Sequence, residues 1–228
     1  MSVNQDLVNH IEANIFPRYE KFYSHGMMHI NNVIANMLEL AAYYGLDENM
    51  SYTIAAYHDV GLSVDRNNHE IESGKILCSD KKLREFFTQG QIKIMQEAVE
   101  DHRGSRKECP RSFYGECVSD SDRDFDIALL AKRQLATSLK NNPGINLFEE
   151  HFERCYQYIC GRINGEGLFN LWTDYPVFIV RRNEFQKIFL NKSYTKGIYD
   201  IKVINPFCYI FLLFNLYLVK ISKLQSSY

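Results

Sequence analysis

The chain has no CxxC pair, no excess of either charge, no internal repeat and no long run of alternating apolar and polar residues. Each absence removes a class of protein. The six cysteines, at 78, 109, 117, 155, 160 and 208, form neither a zinc-ribbon spacing nor a dense disulfide framework, and they read as reduced thiols. A formal charge of −2 gives no reason to expect a polyanion as an obligate partner, although local basic clusters remain, and no nucleic-acid partner is expected. The opening MSVNQDLVNHIEANIFPRYE lacks the basic and apolar regions of a secretory leader, which predicts a cytoplasmic protein. Without period-two alternation there is no demand for strands, and the expected fold is all-α.

What is present is helical periodicity. Ile30, Val33, Ile34, Met37, Leu38 and Ala41 make one apolar stripe, and Gly45 is placed to stop that helix. Further helices are expected over 48–60, 70–78, a short piece through Phe87, and 91–102. Residues 103–118, RGSRKECPRSFYGECV, read as a loop with two glycines, a proline and four basic residues. Helix is expected to resume at SDSDRDFDIALLAKRQLATSL, with Asp122 at its start, and NNPG at 141–144 marks a boundary. Two more helices follow, at 147–164 and 177–190, separated by aromatic-rich GLFNLWTDYP, which reads as core packing.

The expected division is a catalytic domain over 1–140, a helical extension over 141–201, and an atypical tail over 202–228. That tail, KVINPFCYIFLLFNLYLVKISKLQSSY, has no acidic residue, and its apolar stretch at 207–219 is shorter than the roughly 20 residues a membrane span needs. A frameshift product, a buried helix and a membrane contact all fit its composition. A membrane role for the whole protein is not expected.

The run TIAAYHDVG places His58 and Asp59 side by side in an apolar helix, where two ionisable groups need partners. Other helices aim similar groups inward. His29 shares a face with Val33 and Met37, His102 with Val99 and Met95, and Asp122 with Phe125 and Leu129. Convergence of several such groups favours a metal ion, because the cation removes the cost of burying them.

The ordered set His29, then His58-Asp59, then Asp122 in VSDSDRD resembles the HD-domain metal-dependent phosphohydrolases over residues 20–135. HGMMHINNV is similar to the family's first-histidine segment, and YHDVG to its second. The resemblance implies a helical bundle and a metal held by His29, His58, Asp59 and Asp122, with Asp120 the lesser choice for the last position. It further implies that His69 and His102 hold a second ion, with Asp59 bridging. Mn²⁺, Mg²⁺, Fe²⁺ and Co²⁺ all suit imidazole and carboxylate donors, in one or two ions.

Arg103, Arg106, Lys107 and Arg111 lie between His102 and Asp122, and guanidinium groups there would clamp a phosphate. Arg103, Arg106 and Arg111 are therefore expected to act in catalysis with Asp59 and His102. His25, four residues before His29, and Arg123, beside Asp122, are expected to face the substrate along with Arg106 and Arg111. His10 and His151 have no supporting context and are expected at the surface. The implied reaction is hydrolysis of a phosphorylated small molecule, a nucleotide or phosphate ester, by metal-activated water. The alternatives are a di-iron oxygenase of the same type and a non-catalytic nucleotide- or metal-binding module. Oligomeric state is not legible.

Overall fold

The computed structural model describes residues 2–19, 26–104, 106–123, 125–164 and 169–200. His25 and the tail at 202–228 lie outside the described residues. Among the described residues the structure is helical and contains no strand, as the periodicity predicts. None of these helices is long and apolar enough to cross a membrane. The chain forms two compact units, one from 1–123 with 166–180 and the other from 124–165 with 181–228.

The first unit is built on α3 (Glu48–Tyr57), whose N-cap Asp47 accepts hydrogen bonds from the backbone of Asn49 and Met50. Every residue of α3 from Met50 onward is buried, which makes it the central helix. Around it pack α1 (Gln5–Asn14), α2 (Met27–Tyr44), α4 (His69–Ser79), α5 (Gln89–Asp101) and α6 (Phe113–Ser121). Helix α2 ends where the sequence says it should: Gly45 takes φ 70°, the left-handed conformation that glycine adopts without cost. Helix α5 opens on a reciprocal capping box between Thr88 and Gln91. Ile30, Val33, Met37, Ile54, Leu77, Met95, Val99 and Val118 share one core.

Two 3-10 turns shape the site. Val60–Ser63 follows the HD pair and lies against α4, where the Gly61 N–H donates to Ser73 Oγ at 2.8 Å. A Cβ at Gly61 would overlap the His69 carbonyl and the Ser73 nitrogen, so this approach requires glycine. Phe16–Tyr19 follows α1, and Tyr19 Oη donates to the Ala56 carbonyl of α3.

The interval 103–118 differs from the loop expected. Ser112 caps α6 by accepting from Gly115 N–H, so helix begins at Phe113 and Asp122 closes that helix instead of opening the next. Asp126 then caps α7 (Ile127–Asn141). The sequence hides the break, because SDSDRDFD carries no proline or glycine.

The second unit contains α7, α8 (Phe148–Asn164), the later part of α9 (Pro176–Leu190) and α10 (Lys192–Ile198). Its interior is aromatic: Tyr156 stacks on Phe189 at 5.5 Å between ring centroids, and Phe185 on Phe189 at 5.6 Å. His151, expected at the surface, is buried in this unit. Its Nε2–H donates to the Ile145 carbonyl, leaving Nδ1 to accept from Ser138 Oγ, so its polar atoms are satisfied locally.

Candidate metal centre

His58 and Asp59 leave the end of α3, and the other donors are brought to them by four different elements. His29 comes from the first turn of α2, His69 from the first residue of α4, His102 from the C-cap of α5 and Asp122 from the C-cap of α6. All six residues that the sequence nominates as ligands therefore meet in space. They fall into two lobes that share Asp59.

In the first lobe, His29 Nε2 lies 3.1 Å from Asp122 Oδ1, 3.3 Å from His58 Nε2 and 3.8 Å from Asp59 Oδ2. His58 Nε2 is 3.6 Å from the same Asp59 oxygen. In the second lobe, the other Asp59 oxygen faces His69 Nε2 at 3.3 Å and His102 Nε2 at 3.4 Å. Within each of the triads His29–His58–Asp59 and Asp59–His69–His102 the donor atoms all lie within 4.8 Å of one another.

The imidazoles are held in the tautomer that metal binding needs. A carbonyl oxygen can only accept, so Nδ1 of His58 must carry the proton it gives to Ala55, at 2.7 Å. Nδ1 of His102 donates in the same way to Val99, at 2.6 Å, and Nδ1 of His69 to Arg66, at 3.1 Å. Their Nε2 atoms are thereby turned towards Asp59, the arrangement by which backbone carbonyls orient metal-bound histidines. Converging imidazole nitrogens and carboxylate oxygens fit a divalent cation in each lobe.

The charges differ between the lobes. Burial pushes His58 down to about 4, only partly opposed by the Asp59 and Asp122 carboxylates, so it is a neutral donor. Burial would raise the Asp122 carboxyl, but its hydrogen bond to His29 and the nearby imidazoles prevail and hold it at about 2. Burial likewise disfavours a charged His102, yet the hydrogen bond and charge of Asp59 outweigh it and raise His102 to about 9. Exposure is uneven: Asp122 keeps 25% of its side chain exposed and His69 14%, whereas His58 keeps none.

The arginines between His102 and Asp122 are engaged by carboxylates. Arg106 Nη1 lies 2.6 Å from Asp101 Oδ1, and Arg111 Nε 2.9 Å from Asp101 Oδ2, with its Nη2 donating to Glu100 at 2.7 Å. Arg103 Nη1 donates to the Asn67 carbonyl and to Glu70. Each of these guanidinium groups thus has a carboxylate partner. Asp101 is wholly buried, at the C-terminal end of a helix, where a negative charge is disfavoured twice over without cations beside it. Lys107 is exposed.

Asp120 is also wholly buried but is not among the converging donors. It accepts from the backbone N–H groups of Trp172 and Thr173 and from the Thr173 hydroxyl, tying residues 171–173 to the end of α6. Arg123 is partly buried beside Asp122 and Asp120, with a long contact from Nη2 to Ser119 Oγ at 3.5 Å. Glu70 and Asp101 are the residues the sequence reading passed over. Their signal was adjacency, since each sits one residue from a histidine of the second lobe.

An all-α unit with a two-lobed histidine and aspartate centre is thus the class that fold and site define. A sequence model of the HD domain matches residues 26–128, the segment that carries all six converging donors. The chain is 30% identical over 99 residues to an uncharacterized protein of Clostridium beijerinckii, a match that spans 41% of this chain and 62% of that protein's length. It also resembles the crystal structure of a predicted HD superfamily hydrolase from an uncultured Thermotogales bacterium. There the identity is 16% and the TM-score 0.43, over 70% of this chain and 88% of that one.

Proposed function

We propose that the protein is a metal-dependent phosphohydrolase whose centre takes two divalent ions, one in each lobe, and whose substrate is a phosphorylated small molecule such as a nucleotide or phosphate ester. The observation that carries this reading is Asp59, which presents one carboxylate oxygen to each triad of donors.

A divalent ion supplies Lewis acidity and an acidified water at neutral pH. The residues supply the rest. Carbonyls of Ala55, Val99 and Arg66 occupy Nδ1 of His58, His102 and His69 and aim their Nε2 atoms at the centre. Asp59 fixes the separation of the lobes, and the exposed edge at Asp122 and His69 is where substrate enters. Charge favours an anion: Asp59 and Asp122 are the two carboxylates of the set, and they neutralise only half the charge of two divalent ions. A phosphoryl group completes that balance without the arginines of the 103–111 loop, which Asp101, Glu100 and Glu70 already engage.

The test is a panel of nucleotides and phosphate esters assayed for phosphate release with Mn²⁺, Mg²⁺, Fe²⁺ and Co²⁺ after chelation of the purified protein. Hydrolysis that needs an added ion and proceeds without O₂ supports the reading. Turnover that stops on removing O₂ would establish the oxygenase alternative, and no turnover with any ion would leave a binding module.

A further inference from the structure

A cavity of about 420 Å³ opens on the first unit, and none of the six candidate ligands lines it. Its walls come from the end of α1, the 3-10 turn that follows, and the last turns of α4. The volume is within the range of small-molecule sites.

Its polar lining is uneven in a way that selects a ligand. Asp80 is the acid in the lining, and its charge is fully engaged. Oδ2 accepts from Tyr57 Oη at 2.6 Å and from His10 Nε2 at 2.7 Å, while Oδ1 accepts from the Lys82 N–H at 2.9 Å. His10 is engaged as well, because its Nδ1 accepts from the Asn14 amide. What remains is cationic. The Arg18 guanidinium is exposed and has no carboxylate partner among the described residues. Lys75 uses one of its three N–H donors on Glu72, at 2.7 Å, and keeps the others. Ile15 and Ile76 supply apolar lining beside these two cations.

We infer that this cavity is a second binding site, for a small organic anion whose carboxylate or phosphate head is held by Arg18 and Lys75 and whose apolar body lies on Ile15 and Ile76. A planar guanidinium and a lysine ammonium in one cavity lining can each give an oxyanion charge-assisted hydrogen bonds. The site has a mechanical link to the metal centre. Tyr57, which donates to Asp80 at the cavity wall, is the last residue of α3 and directly precedes His58.

The experiment uses the full chain after chelation, so that no metal competes for oxyanions. Inorganic phosphate, phenyl phosphate and benzoate are titrated in turn by calorimetry, with Arg18→Gln, Lys75→Gln and His58→Ala alongside the parent. Saturable binding of phenyl phosphate or benzoate is expected, tighter than inorganic phosphate, and the better of the two identifies the head group. Each cavity substitution should weaken it by roughly tenfold, as the loss of one charge-assisted contact does, and His58→Ala should leave it unchanged. Both cavity residues have exposed heads, so thermal melts should match the parent. No saturable binding, binding indifferent to Arg18→Gln and Lys75→Gln, or binding abolished by His58→Ala would each overturn the inference.

Discussion

The two lobes of the centre share one carboxylate and are otherwise unlike. The first joins His29, His58 and Asp122 to Asp59, so it has two carboxylates and an imidazole that burial keeps neutral. The second joins only His69 and His102 to the other Asp59 oxygen, and one of those imidazoles is held protonated by the same carboxylate. The first lobe is therefore ready for a cation at neutral pH, whereas the second must first release a proton. Sharing a ligand does not make two sites equal; the charges around it decide which fills first.

The most damaging test removes what they share. Asp59→Ala should abolish binding of both ions while the helical circular dichroism persists, and elemental analysis showing full metal content would refute the arrangement. His58→Ala should empty the first lobe in the same assay. A narrower test is His69→Ala, expected to lower the bound metal from two ions towards one and to leave the first lobe loaded. Equal loss from both lobes would show that they are not separable.

The comparison sharpens with pH. Uptake of the second ion competes with the proton on His102, so its apparent affinity should rise about tenfold per pH unit from neutrality and level off near pH 9. The first lobe should show little change over that range, since His58 and Asp122 titrate far below it. Paired calorimetric titrations at several pH values, in buffers of different protonation enthalpy, measure both affinity and proton release.

Smaller effects are expected in the arginine loop. Arg111→Ala removes one of the two cations on buried Asp101 and should cost about 1–3 kcal/mol of stability, read as a lower melting temperature. Normal stability with reduced turnover would return Arg111 to the substrate. Lys107→Ala, at an exposed position, should change stability by no more than about 0.5 kcal/mol.

The ligand set was legible because burial leaves a pattern. His29, His58 and His102 each recur at helical spacing with apolar neighbours, and the structure brings them together with Asp59, His69 and Asp122. The arginine loop was only partly legible for a matching reason. Sequence displays the basic residues between 103 and 111, but not the carboxylate they surround, since Asp101 looks like one more charge on the polar face of α5. The start of α6 was hidden by Gly115 and Pro110, which suggest a loop. In the structure Pro110 precedes the Ser112 cap, and a Cβ on Gly115 would press on it at 2.9 Å. Residues 166–180 belong to the first unit, a long-range association that no local pattern announces; Asp120 holds the backbone at Trp172 and Thr173, more than fifty positions away.

Gly61 has a consequence for descent. The turn that follows the HD pair can approach α4 only because position 61 has no side chain. Any replacement must push on the backbone of His69, the first residue of that helix and a donor of the second lobe alone. A glycine codon becomes an alanine codon by a single base change, so one mutation would displace a donor of the proposed second ion and leave the first lobe's residues unaltered. Ion number would then be a trait that lineages gain or lose readily, decided at a position that contributes no ligand.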